Sequence, residues 1–122
     1  MIKYKVVGLF TRCSCFAQGK YRLFYGENTT VISRKETFGI AVFEREYQAK
    51  NFIETMFGND DFVKKSHKII HVKPIGRGKH HCFVSSTQFD FDLDRFYNHG
   101  SYCEKIKVPP GTIFYPAVEV LD

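Results

Sequence analysis

The chain has no tryptophan and only two methionines, and from Phe62 to Phe89 it has no Asp or Glu. Each absence excludes something. The opening Met-Ile-Lys-Tyr-Lys has no apolar core, which argues against a secretory signal. The longest apolar run, Phe38 to Phe43, is too short to cross a bilayer, so no membrane association is expected. Four cysteines (Cys13, Cys15, Cys82 and Cys103) without a signal read as reduced thiols rather than a disulfide framework. These features predict a soluble intracellular protein. There is no internal repeat, low-complexity tract or linker, so residues 1–122 are expected to form one domain.

What is present is aromatic and unevenly charged. Thirteen Phe and seven Tyr favour strands and large buried areas. The acid-free window holds Lys64, Lys65, Lys68, Lys73, Arg77 and Lys79 with His67, His71, His80 and His81. Outside it, twelve basic residues face thirteen acidic ones, so the net charge of +5 resides in this one stretch. An anionic partner is expected there, a protein or a nucleic acid, with Lys64, Lys65, Lys68, Arg77, Lys79, His80 and His81 as the binding residues.

Alternation predicts strands over Lys3–Phe10, with Tyr4, Val6 and Phe10 on one face, and over Lys20–Tyr25 and Thr29–Ser33. The continuous apolar run Phe38–Phe43 suits a strand covered on both faces. Ala49, Phe52, Ile53, Met56 and Phe57 repeat at helical spacing and predict a principal helix over about 46–57, stopped by Gly58 and Asn59-Asp60-Asp61. Further strands are expected over Lys68–Ile75, Cys82–Ser86, Lys105–Val108 and Thr112–Leu121, with Pro116 placing the last at an edge or breaking it. Asp92 is positioned to cap a short second helix, about 92–98. The fold class is therefore α+β: a curved, largely antiparallel sheet with one principal helix.

Three constellations could carry chemistry. Gly76-Arg77-Gly78-Lys79 combines backbone that approaches closely with a guanidinium and an ammonium, an anion-binding composition, but it lacks the Walker spacing. Cys13, Cys15, His81, Cys82 and Cys103 offer zinc-type ligands, without the usual Cys-x2-Cys pair. Asp90, Asp92 and Asp94 open like a calcium loop, yet Arg95 and Ser101 occupy the positions that need Gly and Glu.

The segment from Glu104 through Val108-Pro109-Pro110-Gly111-Thr112 to Phe114 resembles the closing segment of ADP-ribosyltransferases. Gly39–Phe43, the helix holding Ala49 and Phe52, and Ile69–Val72 resemble that family's strand–helix–strand, and Ser85-Ser86-Thr87 its Ser-Thr-Ser motif. The resemblance implies an NAD-using enzyme or a degenerate relative, with Glu104 as the catalytic acid. The motif is not intact: counted back from Pro109, the catalytic glutamate slot falls on Lys105, and Lys3 or Lys5 replaces the family's first-strand Arg or His. The leading expectation is a non-enzymatic interaction or structural protein without a cofactor. Its size, basic polarity and aromatic richness suit a virus or phage accessory protein, in host cytoplasm or virion.

Overall fold

The computed structural model describes residues 1–14, 22–34, 38–58, 60–81, 83–85 and 105–122; of 57, 83–85 and 105–107 the backbone alone is described. Eight strands are present among the described residues: β1 (Lys3–Gly8), β2 (Thr30–Ile32), β3 (Ile40–Phe43), β4 (His67–Ile75), β5 (Phe83–Ser85), β6 (Lys105–Lys107), β7 (Thr112–Tyr115) and β8 (Ala117–Val120). Two helices, α1 (Glu46–Phe57) and α2 (Asp61–Lys65), lie between β3 and β4. Six strands form one antiparallel sheet in the order β2-β8-β4-β1-β3-β7, and β5 pairs with β6 in a small second sheet. The expected α+β architecture, a curved sheet with one principal helix, is what the chain adopts.

Pro116 dictates the curvature. It alone separates β7, at one edge of the sheet, from β8, next to the opposite edge. The sheet must therefore curl until its two sides meet at this residue. It does not close, because no ladder joins β7 to β2 among the described residues. The inner face gathers one parity of every strand: Val7, Val31, Ile40, Val42, Ile70, Val72, Ile113, Tyr115, Val118 and Val120 surround Tyr25.

A second proline is tolerated inside the sheet for a specific reason. Val120 donates its N–H to Thr29 on the β2 side, so by alternation Val118 does not bond to Pro74 opposite it. The ring nitrogen of Pro74 instead faces the β1 side, beyond the last β1–β4 pair, Lys3 with Val72. No ladder donor is lost there.

Helix α1 packs on the outer face. Ala49, Phe52 and Ile53 cover Tyr4, Val6, Phe43 and Ile69, and the Phe43 and Phe52 rings stand 5.3 Å apart. Arg45 at the N-cap has no acceptor to offer, but its N–H donates to Gln48 Oε1 at 3.0 Å. Only that half of a capping box is physically available.

Several expectations require correction. Strand β1 stops at Gly8, where Arg12 donates its N–H back to the Gly8 carbonyl, and Phe10 lies 89% exposed instead of continuing the Tyr4–Val6 face. Residues 22–25 make one isolated bridge, Phe24 to Cys13, rather than a strand. Gly58 is right-handed, not the left-handed helix terminator its position suggested. Asp60 serves α2 by accepting the Val63 N–H, so the acidic stop signal is also a start signal. Met56 is exposed, leaving the apolar stripe. The expected helix over about 92–98 and the triplet Asp90, Asp92 and Asp94 lie outside the described residues.

Candidate functional site

The basic window is divided in space by β4. Lys64 and Lys65 close α2 at one end of that strand; Arg77, Lys79 and His80 follow the other end. Nine residues, eight steps of roughly 3.3 Å, put the two ends of β4 about 26 Å apart. Alternation along β4 splits the intervening residues further. Lys68 lies on the inner-face parity opposite Val7, while His71 and Lys73 face outward opposite Tyr4 and Glu119.

The α2 end is largely neutralised. Lys64 Nζ is 3.3 Å from Glu54 Oε1 and 3.5 Å from Asp61 Oδ1, and its pKa is raised chiefly by the Glu54 bond. His67 Nδ1 lies 2.8 Å from the Val63 carbonyl. His71 is held by Asp122, whose carboxylate takes the His71 N–H at 2.6 Å and meets Nδ1 at 2.7 Å. Lys65 is exposed and joins none of these contacts.

At the other end, Arg77 and Lys79 form no ion pair among the described residues. Residues 76–80 cross the open gap beside β7 as a strap, with Lys79 and Phe114 exchanging both backbone bonds at 2.8 Å. Two glycines make this crossing feasible. Gly76 has φ +88°, and a Cβ there would lie 2.6 Å from the Pro116 ring. A Cβ on Gly78 would lie 2.9 Å from both Ile113 and the Tyr115 ring. Arg77, Lys79 and His80 are exposed as a result. His81 follows, edge-on to Phe38 and Phe114 at centroid distances of 4.9 and 5.2 Å.

Two lysines not counted among the expected binding residues, Lys105 and Lys107, lie on β6. The β5–β6 ladder pairs Phe83 with Lys107 and Ser85 with Lys105, so β6 runs beside the strand that follows His81. The Lys-Ile-Lys alternation in an expected strand was the available signal; its pairing partner was not legible. Arg34 is also at this end, since Ser33 donates to the carbonyl of Pro116 at 2.9 Å. The described residues 33–34, 76–81, 83–85 and 105–118 together hold five Lys/Arg and two His, with no Asp or Glu. The local field is positive enough to act on His81. Burial first, then the charges of Lys79 and His80, holds its imidazole below the ordinary value.

The remaining candidates are placed as follows. Cys13 is a free thiol with Sγ 3.4 Å from the Thr11 carbonyl. Among the described residues no group of three His, Cys, Asp or Glu is arranged to hold a metal. Cys15, Cys82, Cys103 and Glu104 lie outside the described residues, as do Ser86 and Thr87. Lys3 and Lys5 are buried in the sheet: Lys3 Nζ stands 4.0 Å from Glu44, and Lys5 Nζ donates to the Ala41 carbonyl at 2.8 Å and lies over the Tyr25 ring. No helix is long and apolar enough to cross a membrane among the described residues. Comparison with protein-family models, curated proteins and solved structures found no match to this chain.

Proposed function

We propose that the protein is a non-enzymatic interaction module that receives an anionic partner at the end formed by the 76–81 strap and β6. Arg77, Lys79 and His80 are the primary contacts, close to the β6 segment that carries Lys105 and Lys107. One observation carries this reading: Arg77, Lys79 and His80 are exposed together on the strap, and among the described residues neither Arg77 nor Lys79 forms an ion pair. The Gly-Arg-Gly-Lys strap favours a phosphate-bearing partner, because a guanidinium and an ammonium project from backbone that a ligand can approach closely. Lys64 and Lys65, expected to share the site, are assigned no contact.

The test separates the two ends. Reversing charge with Arg77→Glu and Lys79→Glu abolishes binding of a nucleic-acid or other polyanionic partner. Reversing Lys64 and Lys65 leaves it within about twofold. Binding weakens steeply with added salt, as counterion release requires. A pull-down with and without nuclease decides between nucleic acid and an acidic protein. Equal loss from both double variants, or salt-independent binding, refutes the assignment.

A further inference from the structure

The environment of His81 is unusual for a surface imidazole. Its ring stands nearly perpendicular to Phe38 and Phe114, at 72° and 76°, and the three centroids form a triangle, the two Phe rings being 6.0 Å apart. Ala41 and Val108 pack against the same two Phe rings, so the slot that His81 occupies is apolar on that side. The Nε2 atom is fully buried and has no hydrogen-bond partner among the described residues. A neutral ring tolerates that arrangement by placing its proton on Nδ1. An imidazolium does not, because it carries two N–H donors, one of which would be stranded in the slot.

Directly opposed residues of an antiparallel pair project to the same side, so Lys79 emerges beside Phe114. His81, two residues on, meets Phe114 on that same side. An imidazole leaving the slot therefore arrives next to Lys79. We propose that His81 is a proton-operated binding residue of this end: neutral, its ring is stored against Phe38 and Phe114; protonated, it swings out beside Lys79 and donates to a bound phosphate group.

This rests on the anion-binding reading above and adds its regulation. Among the described residues, the groups facing His81 are Lys79 and His80 from the strap and the uncharged Phe38 and Phe114. Burial and the two neighbouring charges hold the imidazole below its ordinary value, so the stored form prevails at neutral pH. A bound phosphate offsets the charges of Lys79 and His80 and draws a proton onto His81. By linkage, binding takes up a proton and tightens as pH falls.

Two measurements on the full chain test this. In a ligand-free NMR titration, the His81 ring protonates below the ordinary histidine value of 6.5, and the Phe38 and Phe114 ring signals move with the His81 midpoint. A His81 midpoint at or above that value, or immobile Phe signals, overturns the switch. Binding is then measured at pH 7.5 and 5.5 for inorganic pyrophosphate and for a short single-stranded oligonucleotide. The wild-type advantage over His81→Phe and over His81→Leu is compared at each pH, which cancels any titration of the probe. That advantage grows about tenfold on acidification. An advantage that does not change with pH overturns the proposal while leaving the basic site standing. If neither probe binds wild type at either pH, the site itself falls and this inference with it. Tightening with pyrophosphate identifies a free phosphate ligand; tightening with the oligonucleotide alone identifies a nucleic-acid backbone.

Discussion

Gly78→Ala probes the feature on which the basic end depends, the seating of the strap against β7. The added methyl would lie 2.9 Å from Ile113 Cγ2 and from two atoms of the Tyr115 ring. Ordinary carbon contacts begin near 3.5 Å, so the overlap is about half an ångström on two neighbours. Both neighbours are 6% exposed and belong to the inner core, so neither has room to retreat. Overpacking of this kind costs roughly 1–3 kcal/mol, while the stiffer unfolded chain returns about 0.4–1 kcal/mol. If the strap lifts instead, the two Lys79–Phe114 bonds are lost, at about 1 kcal/mol each. Both routes give a net loss of roughly 1–2 kcal/mol. They differ in function: overpacking leaves the anion site in place, whereas lifting displaces Arg77 and Lys79 and weakens binding as well. Urea denaturation gives the stability change from the midpoint at constant slope, and polyanion titration gives the functional one. A Gly78→Ala protein more stable than wild type, with unchanged binding, would refute the packing of the strap on Tyr115.

Three further outcomes follow from the same geometry. Tyr25→Phe removes a buried hydroxyl that hydrogen-bonds Ser14, whose Oγ keeps the Leu23 N–H at 3.1 Å; the expected loss is about 1 kcal/mol by urea denaturation, and no loss would show that hydroxyl to be idle. At Asp122 burial raises the carboxyl, but the His71 bonds, with Arg12 in support, outweigh it and hold the pKa below 3.8. A depressed acid stabilises the fold above the unfolded value, and that contribution disappears as pH falls through the folded one. Asp122→Asn therefore flattens the loss of stability below pH 4, by less than about 1 kcal/mol given its exposure; an unchanged acid limb of the pH profile would contradict this. Millimolar NAD leaves the melting temperature of the wild type unchanged if the chain is a binding module; a rise of more than about 2 °C, lost in Glu104→Ala, would favour the ADP-ribosyltransferase reading instead.

The elements most legible in the sequence were those whose pattern is local. The Ala49–Phe52–Ile53 spacing fixed α1, and the run Phe38–Phe43 announced a strand buried on both faces, as β3 is between the inner core and the outer contacts of Phe43 and Ala41. Pro116 was expected at an edge or a break, and the break is what occurs. Signals that depend on a partner were read less well. Phe10 continued the alternation of β1 on paper, but β1 ends where its chain turns back at Gly8. Asp60 looked like the end of one helix because nothing local distinguishes that from the start of the next.

The charge window shows why the site was harder to locate than the fold. A run of like charge in sequence becomes a patch only if the backbone keeps those residues together, and an extended strand does the opposite. Each step along β4 carries the chain about 3.3 Å and reverses the side-chain direction. Lys68 and Lys73 therefore leave on opposite faces, and Lys64 and Arg77 lie at opposite ends. Acidic residues distant in sequence, Glu54 and Asp122, then take up Lys64 and His71. Conversely, the β6 backbone carrying Lys105 and Lys107 approaches the strap region through a ladder that links positions twenty or more residues apart. Composition could reveal an excess of positive charge. Its location depends on strand register, which brings the β6 backbone beside the chain that follows the strap.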